Sequence, residues 1–279
     1  MSELNRLTAL RAFLRERASG GLALAFSGGV DSTLLLAVLC RLRDEEPFPL
    51  VALTMRTPFL RPDELSHVRE VAAGLGVELC EFSCDPLTLP QVRVNAPDRC
   101  YWCKRHIFRT FVEEVHRRGI GTLLDGTNAD DHQTYRPGLA ALAELGVVSP
   151  LASIGASKAE IRQMAAEMGL SCSTQPSTPC LATRFDYGTT LTAELVARTM
   201  AGEEVVRRLM PPTENVRLRV HGRLARLEVG ADSMSVMLKH RQELIAQLKA
   251  LGFDYVTLDL EGFRSGSMDI HVADKKHTN

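Results

Sequence analysis

The sequence predicts an α/β protein, with a parallel sheet covered by helices on both faces and a smaller α+β domain after it. Three observations carry this. Short apolar runs alternate with helix-length amphipathic stretches through the first half of the chain, as successive βαβ units do. Periodicity lapses at 170–190, "LSCSTQPSTPCLATRFDYGTT", where Ser, Thr and Pro collect. Beyond Leu191, two strand-like runs are joined by Gly222-Arg223, so a hairpin replaces the crossovers.

The elements follow in order. Leu22 to Phe26 reads as a buried strand, Ser32 to Arg43 as a helix and Pro49 to Met55 as a second strand. "RPDELSHVREVAAGLG" gives a helix with Pro62 in its first turn and Gly74 to Gly76 at its end, and Val77 to Phe82 a third strand. Helix 99–118 and strand Thr122 to Gly126 continue the alternation, and Gly146 to Leu151 reads as a fifth strand. Ser157-Lys158-Ala159-Glu160 has the Ser-x-x-Glu form of a capping box, opening a helix through Met168. The second domain reads as helix 191–209, strands 216–221 and 224–230, helix 233–251 and strand 255–260. A boundary near Tyr187 divides the chain into domains 1–186 and 187–279.

Composition limits the function classes. With 45% apolar and 24% charged residues the chain has an ordinary globular balance, and no run is long enough to span a bilayer. At the N-terminus, Leu4, Leu7, Leu10, Phe13 and Leu14 fall at helical spacing between charges, unlike a secretory signal, which points to the cytoplasm. A formal net charge of −1 gives no overall positive field for nucleic acid. The seven cysteines, odd in number, argue for thiol chemistry, metal ligation or burial over a disulfide framework.

"SGGVDS", residues 27–32, stands between a strand and a helix, which is the setting of a phosphate cradle. Gly28 and Gly29 let backbone N–H groups approach an anion, the helix N-terminus adds a favourable dipole, and Ser27 and Ser32 add hydroxyls. Asp31 would repel phosphate unless it holds a divalent cation, so it predicts Mg²⁺. The lysine-bearing Walker pattern and Gly-x-Gly-x-x-Gly are both missing from this loop. The competing reading is an ordinary glycine turn with a helix cap. "SGGVDS" resembles the pyrophosphate loop of the PP-loop ATP pyrophosphatases, which split ATP into AMP and pyrophosphate to adenylate a substrate. That resemblance implies a Rossmann-like domain holding ATP.

Cys100 and Cys103 form a Cys-x-x-Cys pair at the start of a predicted helix, followed at once by Lys104 and Arg105, a setting that lowers thiol pKa. Cys180 lies in "TPCLATRF" near the domain boundary. Three thiolates brought together would hold three irons of a 4Fe-4S cluster, or zinc with a fourth ligand; Cys100 and Cys103 alone would make a redox dithiol. Cys40 and Cys80 fall on predicted core elements and are assigned to burial, and Cys84 and Cys172 also lack the basic setting.

"RCYWCK" (99–104), "DGTNADD" (125–131), "PCLATRF" (179–185), "VRLRVHG" (216–222) and "EGFRSGSM" (261–268) together resemble the LarE family, the ATP-dependent sulfur transferases of nickel-pincer nucleotide synthesis. The resemblance covers nearly the whole chain. It implies that a carboxylate of pyridinium-3,5-biscarboxylic acid mononucleotide is adenylated and then converted to a thiocarboxylate. One variant of the family sacrifices the sulfur of a cysteine matching Cys180; another has three cysteines binding a 4Fe-4S cluster that carries an extra sulfide. The presence of Cys100, Cys103 and Cys180 favours the cluster variant, with an external sulfide source. The relatives' hexamers imply a homo-oligomer.

Further candidates are read residue by residue. Asp125, Gly126, Thr127, Asn128 and Asp130 follow a strand's C-terminal end, where open α/β sheets bind ligands, although Asp-Gly and Asn-Ala-Asp also suit plain turns. Arg217, Arg219 and His221 share one strand face, and the arginines are assigned to a substrate phosphate. Arg184 is assigned to phosphate or the acyl adenylate; Arg264, Ser265 and Ser267 are read as an anion-binding turn, with a surface turn as the alternative. Trp102 is assigned to packing, and His67, His106, His116 and His132 show no ligand spacing. Asp186 stands where the relatives often have Pro. Two other functions remain: a PP-loop tRNA thiolase, against which the near-neutral charge stands, and a non-catalytic nucleotide module with structural zinc.

Overall fold

The structure is a computed structural model that describes residues 3–133, 136–176, 178–264 and 267–268. Contacts divide it into two compact units: 1–57, 61–86 and 98–175 form the first, and 58–60, 87–97 and 176–279 the second. The sequence places the boundary near Tyr187; the units change over between Gln175 and Pro176.

The first unit begins with α1 (Glu3–Arg15), β1 (Leu22–Ala25), α2 (Val30–Glu45), β2 (Leu50–Arg56), α3 (Pro62–Gly74) and β3 (Glu78–Ser83). A short helix of the second unit, α4 (Pro90–Arg93), intervenes before α5 (Arg99–Arg117), β4 (Thr122–Leu124), α6 (Gly138–Glu144), α7 (Pro150–Ser153) and α8 (Lys158–Glu167). The strands form one parallel sheet in the order β3-β2-β1-β4. This is the α/β architecture read from the sequence. Leu22, Ala23 and Leu24 are all buried, as befits an inner strand packed on both faces. Helix α2 is apolar around nearly its whole circumference and is buried along most of its length, from Val30 to Leu42. The capping box predicted at Ser157 is present, with Ser157 and Glu160 satisfying each other's backbone N–H groups.

The predicted fifth strand is not formed. Val148 makes a single parallel bridge to Leu124, donating to Leu123 O and accepting from Asp125 N, after which Pro150 opens helix α7. A proline is favoured at the first position of a helix and has no N–H to extend a ladder, so the chain turns where the apolar run suggested it would continue.

In the second unit, α9 (Ala193–Arg207) precedes β5 (Arg217–His221) and β6 (Leu224–Glu228), an antiparallel hairpin closed by Gly222 at φ 62°. Helices α10 (Met234–Lys239) and α11 (Arg241–Ala250) follow, and β7 (Tyr255–Leu258) then pairs parallel to β6. The single helix expected over 233–251 is broken at His240, whose φ −95°, ψ 13° lies outside the helical basin. Neither Gly nor Pro marks this break. Residues 87–97 join this unit through Asn95, a buried residue at φ 48°. Its side-chain amide donates to Phe185 O at 3.2 Å and Asp186 O at 2.8 Å, while its backbone carbonyl accepts from Gly188 N. The loop that begins at Cys180 is thereby tied down from a segment far away in sequence.

Candidate active site

The phosphate loop takes its shape from side chains that close on backbone. Ser32 Oγ donates to Gly29 O at 3.1 Å and lies 3.2 Å from Ser27 Oγ, so the two hydroxyls bracket the glycines. Gly28 has φ 74°, and a Cβ there would lie 3.0 Å from Val68 Cγ2. Only glycine suits that position. Gly29 differs: its φ is −73°, and a Cβ would meet nothing closer than Ser27 Oγ at 3.6 Å. Among the described residues nothing excludes a side chain there, and Gly29 serves as the N-cap of α2, a position glycine suits.

Residues after β4 converge on this loop. A Cβ on Gly126 would sit 3.2 Å from Ser32 N and 3.4 Å from Asp31 Cβ, which sets the two turns in direct contact. Asn128 Nδ2 donates to Asp31 Oδ1 at 3.2 Å, and Lys158 Nζ is ion-paired with the other oxygen, Oδ2. Asp125 is buried, with both of its oxygens satisfied by the hydroxyls of Thr127 and Ser149. It holds the turn, and the hydroxyl of Thr127 is occupied in doing so. Asp130 accepts from Lys158 N at 2.8 Å, at the positive end of α8. The structure thus joins Ser27, Gly28, Gly29, Asp31 and Ser32 to Gly126, Thr127 and Asn128, and adds Lys158, which the sequence reading used only as part of a cap. Its proximity to Asp31 is a long-range contact that no local pattern announces.

Asp31 offers an oxygen donor of the kind Mg²⁺ takes, commonly one or two carboxylates together with the substrate's own phosphates, and here its two oxygens are engaged by Asn128 and Lys158. No larger constellation is required, and among the described residues no group of three or more His, Cys, Asp or Glu is disposed as a metal site.

Cys100 and Cys103 occupy the first turn of α5, three residues apart and so on one face; Cys100 is exposed and Cys103 half-buried. None of the seven cysteines is in a disulfide. Gly138 lets α6 approach this turn, since a Cβ there would fall 2.7 Å from Lys104 Cδ and 3.3 Å from Cys100 O. The neighbouring cations turn elsewhere: Lys104 lies over Phe108, while Arg105 lies over Trp102 and near Glu144. Trp102 packs edge-on against Tyr101 and donates to Asp98, in line with the packing role read from sequence. Cys180 belongs to the second unit, where its exposed side chain precedes a short turn, Leu181–Arg184, closed by Thr183 N and Oγ1 on Cys180 O.

The second unit also holds a buried network of arginines and glutamates. Arg184, wholly buried, donates to Glu203 through Nε at 2.7 Å and Nη2 at 2.9 Å; Arg207 and Leu218 N complete the same carboxylate. Arg219 donates to Glu228 at 3.0 Å, to Thr183 O at 2.9 Å and to Ser267 Oγ at 3.0 Å. Arg217 donates to Val216 O and stacks over Phe263. Burial, then the nearby Arg184, pull the Arg217 pKa down to about 9, with Glu203 opposing them. For Glu203, burial pushes the carboxyl upward, but the hydrogen bonds and charge of Arg184, with Arg217 and Leu218 N, together bring the net shift downward. His221 Nδ1 lies 2.7 Å from Asp186 Oδ2. Arg264 pairs with Glu261; Ser265 lies outside the described residues, and Ser267 is bound to Arg219 and Glu228. Sequence reasoning missed Glu203 and Glu228. For Glu228 a signal existed, because a two-residue turn at Gly222-Arg223 puts Arg217 opposite it.

Comparison with known proteins gives three relatives and one family match. The asparagine synthase family model matches residues 9–132. An uncharacterized protein of Synechocystis is 36% identical over 248 residues, 88% of this chain and 91% of that protein. The pyridinium-3,5-bisthiocarboxylic acid mononucleotide synthase of Lactiplantibacillus plantarum is 34% identical over 245 residues, 88% and 87% of the respective chains. An uncharacterized protein of Methanocaldococcus jannaschii is 28% identical over 263 residues, 94% and 98%.

Proposed function

Because the chain belongs to the LarE family of pyridinium-3,5-bisthiocarboxylic acid mononucleotide synthases, we propose that it converts carboxylates of pyridinium-3,5-biscarboxylic acid mononucleotide to thiocarboxylates at the expense of ATP. The observation that carries this reading is the meeting of Asp31 with Asn128 and Lys158 beside the glycine pair of the phosphate loop. A carboxylate is a poor acyl donor because oxide is a poor leaving group. Attack of a substrate carboxylate oxygen on the α-phosphorus of ATP expels pyrophosphate and leaves an acyl adenylate. Sulfur then attacks the carbonyl carbon, the C–O bond to AMP breaks, and thiocarboxylate and AMP depart.

In this scheme Ser27, Gly28, Gly29 and Ser32 hold the departing pyrophosphate, Gly126 and Asn128 border the nucleotide, and Lys158 and Asp31 govern charge beside the phosphates. Bound Mg²⁺ at Asp31 would neutralise the triphosphate. Arg217 and Arg219, with Arg184 and Arg264 beside them in the second unit, serve the substrate's phosphate and carboxylates. Burial draws Arg217 down first, and the crowding of Arg184, Arg219 and Arg207 adds to it; an anionic ligand would relieve that repulsion, which supports one here.

For the sulfur donor, Cys100 and Cys103, one helical turn apart at an accessible helix start, suit two ligands of a 4Fe-4S cluster, with Cys180 as the third. Such a cluster would supply a replaceable sulfide. The exposure of Cys180 also supports a second reading, in which that residue gives up its own sulfur. We also infer a cytoplasmic homo-oligomer, on the strength of the same family reading.

The test is anaerobic incubation with ATP, Mg²⁺ and the dicarboxylate mononucleotide. Pyrophosphate release that depends on the acid, with oxygen replaced by sulfur in the product's mass, is the expected result. Iron content and the mass of the Cys180 peptide distinguish the donors: a consumed Cys180 becomes dehydroalanine. No release of pyrophosphate in the presence of all substrates refutes the proposal.

A further inference from the structure

We propose that His67 is part of the phosphate cradle, donating a hydrogen bond from Nε2 to the pyrophosphate portion of the nucleotide. This deepens the ATP-dependent reading and rests on it. His67 lies in the second turn of α3, which packs against the phosphate loop. A Cβ built on Gly28 would fall 3.2 Å from His67 Cδ2 and 3.0 Å from Val68 Cγ2, so this imidazole borders the glycine whose left-handed backbone shapes the loop. The atom bonded to Cδ2 is Nε2, which is buried and has no hydrogen-bond partner among the described residues.

Buried polar atoms in folded proteins are nearly always satisfied by protein, water or ligand. An imidazole retained only for packing beside Gly28 would be replaced at lower cost by an apolar ring, so the orphaned nitrogen needs an acceptor. The hydroxyls of Ser27 and Ser32 bond to one another, and Ser32 Oγ also donates to Gly29 O; neither is a partner of His67 Nε2. What the loop is built to receive is an anion rich in acceptor oxygens, and a phosphate oxygen meets the requirement of an N–H donor. Mg²⁺ is the poorer occupant for this nitrogen because it takes oxygen ligands. His67 shows no ligand spacing in sequence because the turn it packs beside belongs to the preceding strand–helix unit, far outside any local pattern.

The test is binding of inorganic pyrophosphate and of ATP with Mg²⁺ to the full chain, by calorimetry, with no sulfur acceptor present. The variants are His67→Ala, His67→Asn and His67→Gln. A glutamine amide nitrogen superposes on the position of Nε2, whereas an asparagine amide falls near Nδ1. Loss of a hydrogen bond to a charged group weakens binding roughly tenfold or more, so His67→Ala and His67→Asn are expected to show that loss and His67→Gln to recover most of it. Nitrogen-15 spectra of the wild-type histidines supply a readout independent of any variant's folding: the Nε2 resonance of His67 shifts on adding pyrophosphate. Unchanged affinity in all three variants, a glutamine variant as weak as alanine, or a silent resonance overturns the assignment. If the wild type binds neither pyrophosphate nor ATP, the phosphate-loop reading itself fails; if it binds both and the variants match it, only the role of His67 falls.

Discussion

Replacing Glu203 with Gln removes one charge from the buried network of the second unit and nearly nothing else. The carboxylate is 1% exposed and collects four donors: Arg184 Nη2 at 2.9 Å and Arg207 Nη2 at 3.1 Å on one oxygen, Arg184 Nε at 2.7 Å and Leu218 N at 3.2 Å on the other. A glutamine keeps one acceptor oxygen and turns an NH₂ toward the other pair, so two donors face a donor whichever way the amide points. Arg184, fully buried, is left with an uncompensated charge. Breaking a buried pair in this way costs ~3–5 kcal/mol, against a total stability on the order of 5–15 kcal/mol for a domain. Urea unfolding followed by circular dichroism measures the loss. The double variant Glu203→Met with Arg184→Leu removes both charges and is expected to lie closer to the wild type than Glu203→Gln alone, because the stranded guanidinium is gone. A loss below ~0.5 kcal/mol in the single variant, within the range of surface substitutions, would refute the reasoning. So would a double variant less stable than the single one.

Acidification gives a related result with a defined sign. Glu203 is held below its ordinary value of 4.5, so its stabilisation is fully present above that value and is lost as pH falls through the lower folded value. The wild-type urea midpoint is therefore expected to drop more steeply below pH ~4.5 than that of Glu203→Gln. Arg217→Met removes a guanidinium that burial and neighbouring cations already disfavour, and should raise the free energy of unfolding by about 1 kcal/mol while weakening binding of the phosphate-bearing substrate; a less stable variant that binds normally contradicts it. Gly28→Ala imposes a side chain at φ 74° and 3.0 Å from Val68, and is expected to lose ~1–2 kcal/mol in stability together with pyrophosphate release, checked by melting and a pyrophosphate assay.

Much of the first unit was legible because local signals agreed with tertiary structure. The run from Leu22 to Phe26, the glycines after it and the apolar residues of α2 all point to a strand, a turn and a buried helix, and the capping box at Ser157 named its own helix start. What escaped depended on contacts remote in sequence. Val148 looked like strand but met Pro150, and His240 broke a helix without Gly or Pro to announce it. At the site, Asp31 and Asn128 were singled out separately, and the turn they share became visible only through Gly126 against Ser32. Lys158 and Glu203 carry no motif of their own, since a charge paired across a long stretch of chain looks in sequence like any solvated charge. Glu228 was within reach, because hairpin register follows from turn length.

The backbone hold that Asn95 exerts through Phe185, Asp186 and Gly188 makes two distant stretches mechanically one piece. A deletion of one residue around 95 slips that grip and leaves the second stretch without its footing, although no residue there has changed. A chimera that imports the Cys180 loop from a related protein is therefore expected to fold only with the asparagine-bearing stretch from the same parent.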